Sequence, residues 1–215
     1  MMQALDEFLV IVMILLNLRL MGVSRLGACV QTVAIQALVI GALALLSQTA
    51  PSFWTVALVT SATAIKAGVL PAMVRRAMRE TGVVREIDPL VGYTLSVLIG
   101  TGMFVLSLLA TRSLEVPFAA GGAHWLVSGT LFTMLTGLFL IVTRRKAINQ
   151  VLGFVTMENG IYLFGVAFAI HEPWLVQAGV LLDVFAAVFI MGIMICHINR
   201  EFDHIDTNRL SNLKD

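Results

Sequence analysis

The 215-residue chain is 59% hydrophobic and 13% charged, with a formal net charge of +1 and a mean hydropathy of +0.93. Soluble domains carry about 25% charged residues, so the composition excludes a soluble fold and the catalysis that goes with one. Its two cysteines, Cys29 and Cys196, form no C-x-x-C pair and support neither a zinc nor an iron–sulfur site.

Seven apolar windows follow one another along the chain, at 4–21, 26–48, 52–74, 89–111, 122–143, 147–169 and 174–198. Each is long enough for a membrane-spanning helix, which needs about 20 residues. The first is not read as a cleaved signal peptide, because Asp6 and Glu7 make its leading region acidic and Arg19 and Arg25 interrupt the path to Cys29. Short connections leave no room for a soluble domain, and helices satisfy their backbone polar groups within lipid. The expected fold class is therefore all-α: one polytopic membrane domain of seven transmembrane helices. Arg19 and Arg25 flank the first connection, Arg75, Arg76, Arg79 and Arg85 the third, and Arg144, Arg145 and Lys146 the fifth; Arg200, Arg209 and Lys214 lie in the tail. Those twelve fall on one side against Arg112 on the other, which places the N-terminus outside and the C-terminus in the cytoplasm.

Lys66, Glu158 and Asp183 are the ionisable residues well inside these windows. A charge at a helix centre costs about 2.5–3.5 kcal/mol on insertion scales, so such residues face the bundle interior and pair or titrate. At a rise of about 1.5 Å per residue they lie roughly 12, 16 and 14 Å from the nearer helix end. Matched depth suits a polar line running sideways in the membrane. Gly179, Ala186 and Ala187 share the face of Asp183, Tyr162 stands four residues after Glu158 as a hydrogen-bond donor, and Thr60, Ser61, Ala62 and Thr63 give Lys66 a small, partly polar surface. Pro71 removes an amide and is expected to free the carbonyl of Ala67. The three charges read either as a static lock between helices or as a proton relay; matched depth favours the relay, since burial disfavours the charged form of carboxyl and amine alike. Gln36 is a further polar position. With it, the first three and last three helices each carry a polar group in the middle helix (Gln36, Glu158) and an ionisable one in the third (Lys66, Asp183), the pattern of a parallel internal repeat. His124, His171, His197 and His204 do not cluster as ligands, and nucleotide-binding glycine loops and nucleophile elbows are absent from the sequence.

The run Arg144-Arg145-Lys146, the tetrapeptide Met157-Glu158-Asn159-Gly160, the later Asp183, Lys66 followed by Pro71, and the tail from Ile205 to Lys214 together resemble the hydrogenase-4 component E family over nearly the whole chain. The last three helices also resemble the K-type subunit of complex I and the C-type subunit of Mrp antiporters. The sequence departs from those subunits in setting Glu158 about one turn further into its helix and in replacing their second glutamate with Asp183. The resemblance divides the chain into residues 1–88 (three helices), 89–121 (the fourth helix and an outer loop) and 122–215 (a K-like three-helix unit with a cytoplasmic tail). It implies a non-catalytic membrane subunit of a hydrogenase or formate hydrogenlyase complex in a bacterial or archaeal cytoplasmic membrane. Its partners would be antiporter-like and complex I H-like membrane subunits and peripheral hydrogenase subunits, with no nucleic acid. No cofactor is expected on this chain; nickel–iron and iron–sulfur centres would sit on partner subunits. Glu158, Asp183 and Lys66 would form the proton or ion path, supported by Tyr162, Gln36, Thr63, Pro71 and Asn159. Alternatives are a structural linker that carries no ions and a component of an Mrp-like antiporter.

Overall fold

A computed structural model describes residues 2–46, 52–81, 89–113 and 123–168. Seven α-helical stretches form there: α1 (Met2–Gly22), α2 (Leu26–Leu46), α3 (Phe53–Ala64), α4 (Leu70–Thr81), α5 (Tyr93–Ser113), α6 (Ala123–Thr143) and α7 (Ala147–Phe168). A single π turn, Ile65–Val69, joins α3 to α4, so that 53–81 is one continuous rod. The described residues are thus helical throughout, without a strand, and correspond to the first six expected windows. The seventh window, with Asp183, lies outside them. By length and composition three of these helices suit a membrane crossing: Leu26–Leu46, Tyr93–Arg112 and His124–Thr143. The third window ends later than expected. Its helix runs on to Thr81, and Arg75, Arg76 and Arg79 are carried on the exposed side of α4 rather than in a loop.

α6 and α7 form the most intimate pair. A Cβ placed on Gly137 would fall on the amide nitrogen of Met157 and within 2.6 Å of the Gly153 carbonyl oxygen, and one on Gly160 would come within 2.7 Å of the Met134 nitrogen. Only glycine lets two backbones approach this closely, which is how helices associate where lipid supplies no hydrophobic drive. α1 packs against α2, α5 and α6, and α2 packs against α7 and the 53–81 rod.

Apolar burial falls into two clusters stacked along the helix axes. One holds Met13, Ile14, Ile40, Leu43, Val59, Phe132 and Leu163; the other holds Leu20, Leu26, Val30, Leu70, Val74, Leu140 and Val155. Five helical rods contribute to both. On each, the polar residues buried in mid-helix stand between the two contributions: Asn17 on α1, Gln36 on α2, Lys66 in the π turn, Thr133 and Thr136 on α6, Glu158 and Asn159 on α7. The core is therefore two apolar slabs with one polar layer between them.

Candidate functional site

The layer begins with the π turn. Val59, Ala62, Lys66, Leu70 and Val74 are all buried on the rod. From Ala62 onward they recur every fourth residue, a spacing that drifts by about 40° per step in an α-helix of about 3.6 residues per turn. One wider turn takes up that drift and keeps the stripe on a single face. Pro71, which has no amide, sits at its end, and the Leu70 N–H reaches five residues back to the Ile65 carbonyl. The rod is thus not a plain α-helix: the proline sits at the end of a register shift, and the shifted turn carries Lys66.

Lys66 Nζ lies 3.3 Å from Glu158 Oε1 and donates to Asn159 Oδ1, also at 3.3 Å. It stands over the Tyr162 ring, 5.3 Å from the centroid. Lys66 is 7% exposed, Glu158 2% and Asn159 0%. The three α7 residues share one side of their helix by i, i+1 and i+4 spacing, so a single lysine meets a carboxylate, an amide oxygen and a π face. Tyr162, expected as a donor to Glu158, presents its ring to the ammonium. A buried pair of this kind repays its desolvation only with good geometry and further hydrogen bonds, and Asn159 supplies one.

Beside it runs a neutral chain. Gln36 Nε2 donates to Asn17 Oδ1 at 2.8 Å, Asn17 Nδ2 to Thr133 Oγ1 at 2.8 Å, and Thr133 Oγ1 to the Gly129 carbonyl at 2.7 Å. Gln36 is placed in the layer. Thr63, half-buried, packs against α2 at Gly41, one turn from Lys66. Thr60 and Ser61 are exposed on the other side of α3, so the polar surface expected around Lys66 does not include them. Asn17 and Thr133 were not among the expected residues; both are neutral and do not stand out in a helix as a charge does. A lone amide amid leucines at mid-helix was the available signal.

Arg144 lies in the connection between α6 and α7, as expected, but it is buried there. Counted above as a loop cation, it is 2% exposed at the end of α6. Its guanidinium donates to the Met21 carbonyl at 2.7 Å and lies 4.7 Å from the Tyr93 ring centroid, while the Leu90 N–H donates to the Thr143 carbonyl. Arg144 thus ties together the ends of α1, α5 and α6. It joins carbonyls left over at a helix terminus, which favour a cation.

Apolar helices, three of them suited to a membrane crossing, define the class: a membrane protein, here with a lysine–glutamate pair buried inside its helix bundle. The model of the NADH-ubiquinone/plastoquinone oxidoreductase chain 4L family matches residues 124–215, a stretch that contains α7 and Glu158. The uncharacterized protein Rv0085 of Mycobacterium tuberculosis is 31% identical over 153 residues, covering 71% of this chain and 69% of the relative. Hydrogenase-4 component E of Escherichia coli K12 is 30% identical over 125 residues, covering 58% of this chain and 57% of the relative; the Shigella flexneri protein matches equally. No solved structure matches the chain. The chain belongs to the family of Rv0085, and it is similar to the hydrogenase-4 component E proteins, of which it spans a little over half the length.

Proposed function

We propose that this chain is a non-catalytic membrane subunit of a complex I-related, hydrogenase-type redox complex, and that its polar layer is a segment of a lateral proton or ion path coupling redox chemistry to translocation. The observation that carries this reading is the Lys66–Glu158 pair, 3.3 Å apart between two apolar slabs. A charge pair held at one depth, on helices otherwise apolar, is a functional site by default in a membrane. Asp183 is the proposed continuation of the path on a seventh helix, with the N-terminus outside and the tail in the cytoplasm of a bacterial or archaeal cell. Residues 122–215 form the proposed K-like unit. Nickel–iron and iron–sulfur centres belong to peripheral partner subunits in this reading, and antiporter-like and H-like membrane subunits adjoin the chain.

The same contact supports a second reading, in which the pair only locks the 53–81 rod to α7 and the chain is a linker. Substitution separates the two. Glu158→Gln and Asp183→Asn keep shape and remove titration. In purified complex reconstituted into liposomes, redox-driven pH change is expected to fall while redox turnover and assembly persist. Wild-type coupling in both variants would leave the linker reading standing. Lys66→Arg refines the result, because arginine keeps the charge and does not deprotonate in a protein: a relay stops in this variant, whereas a lock holds.

A further inference from the structure

The neutral chain has a direction, fixed at its far end. Thr133 gives its only proton to the Gly129 carbonyl, so its oxygen accepts from Asn17; Asn17 Oδ1 then accepts from Gln36 Nε2. The remaining group, Gln36 Oε1, is an acceptor, fully buried and without a hydrogen-bond partner among the described residues. The charged pair has a direction too. An ammonium can only donate, so Asn159 turns Oδ1 to Lys66 and leaves Nδ2, a donor, buried and likewise without a partner among the described residues. The two loose ends are of opposite kind.

They also lie at one depth. α2 and α3 run antiparallel with Gly41 against Thr63. Gln36, five residues before Gly41, is thereby level with Gly68, five after Thr63, and about 3 Å along the axis from Lys66. Asn159 bonds Lys66, and α7 packs directly on α2. Thr136 Oγ1, between the two apolar slabs in the same layer, is a third buried polar atom without a partner among the described residues.

A buried acceptor and a buried donor that do not meet each cost about 1–3 kcal/mol, and the usual remedy in protein interiors is a water molecule bonded to about three polar groups. We propose that the layer contains a water-binding site held by Gln36 Oε1 and Asn159 Nδ2, which joins the neutral Asn17–Thr133 chain to the Lys66–Glu158 pair and makes Gln36 a positioning residue for Lys66. Through that water, Gln36 keeps the Asn159 amide turned with its oxygen toward the ammonium. This inference rests on the proposed function only for its effect on coupling; the site itself does not.

The test is a high-resolution cryo-electron microscopy map of the assembled complex, for wild type and for Gln36→Leu, with the liposome assay run in parallel. A density peak within about 3.2 Å of both Gln36 and Asn159 is expected in wild type. In Gln36→Leu the peak is lost and redox-driven translocation drops about fivefold, the size expected for one lost hydrogen bond, with redox turnover retained. If Gln36→Leu does not assemble, the wild-type map alone decides. A protein side chain on Asn159 Nδ2, direct contact between the two amides, or a gap without density would overturn the proposal. Coupling that survives Glu158→Gln would sink the proposed function and leave the wild-type peak in place, so the two failures are distinguishable.

Discussion

α7 and α5 are both long, apolar helices, yet they bury different things. α7 turns Glu158, Asn159, Thr156 and Tyr162 inward and presses glycines against α6. α5 turns inward Ser96, Gly100, Ser107 and Thr111, and leaves Leu95, Leu98, Val105, Leu106 and Leu109 exposed. Two hydroxyls of α5 satisfy themselves on their own helix, Ser107 donating to the Met103 carbonyl and Thr111 to that of Ser107, while Ser96 donates to the Gly92 carbonyl just before the helix. Glu158 and Asn159 depend on another rod for Lys66. α5 places large apolar side chains outward, as lipid permits and water would not, whereas among the described residues of α7 Ile161 alone is exposed. The difference is that polarity buried in the second half of α5, at Ser107 and Thr111, bonds to its own helix, with Ser96 at the other end also taking Arg144, whereas polarity buried in the middle of α7 is shared with another rod.

Removing one member of the shared pair tests that contrast most severely. Lys66→Met strands Glu158 in a dry layer and is expected to cost about 3–5 kcal/mol, seen as loss of the intact complex on native gels and a lowered midpoint in detergent denaturation. The double substitution Lys66→Met with Glu158→Met should recover most of that stability, because well-packed apolar residues replace a buried pair at little cost, while translocation stays lost. A single variant as stable as wild type would erase the distinction between the two helices.

A side chain in the α6–α7 seam comes next. Gly137→Leu has no room against the Met157 and Gly153 backbone, and overpacking of this kind costs about 1–3 kcal/mol, with more where backbone must move. Thermal unfolding of the reconstituted protein should report it. Leucine tolerated at Gly137 would mean that the close approach is not required.

The smallest effect belongs to α5. Ser107→Ala removes a bond that Ser107 makes to its own helix, and polar contacts within membranes average about 0.6 kcal/mol in mutant cycles. Stability and coupling should both stay near wild type. A marked loss in this variant would show that the second half of α5 also holds a shared polar contact.

Much of this was legible beforehand for one reason: in a membrane, polarity is costly enough to be conspicuous. Helix after helix could be read from apolar length, and Lys66 and Glu158 stood out at equal depth because nothing around them was charged. Asn17 and Thr133 did not, since a neutral amide or hydroxyl is cheaper and turns up in helices without consequence. The burial of Arg144 was not legible because a cation beside a helix end looks the same whether it faces water or reaches the Met21 carbonyl of another helix.

By itself the sequence determined a membrane protein, the helices of its described residues with the third falling seven residues short at its end, and the level standing of Lys66 and Glu158. Those follow from local quantities: apolar run length, rise per residue and the cost of a charge in lipid. Which residues face each other was decided only by tertiary packing. The rotation of the 53–81 rod depends on a π turn at Ile65–Val69, and the meeting of Lys66 with Glu158, Asn159 and Tyr162 depends on that rotation together with the placement of α7, set on one side by its glycine contact with α6. Period and composition give a helix its length and depth; its azimuth is a property of the neighbours it packs against.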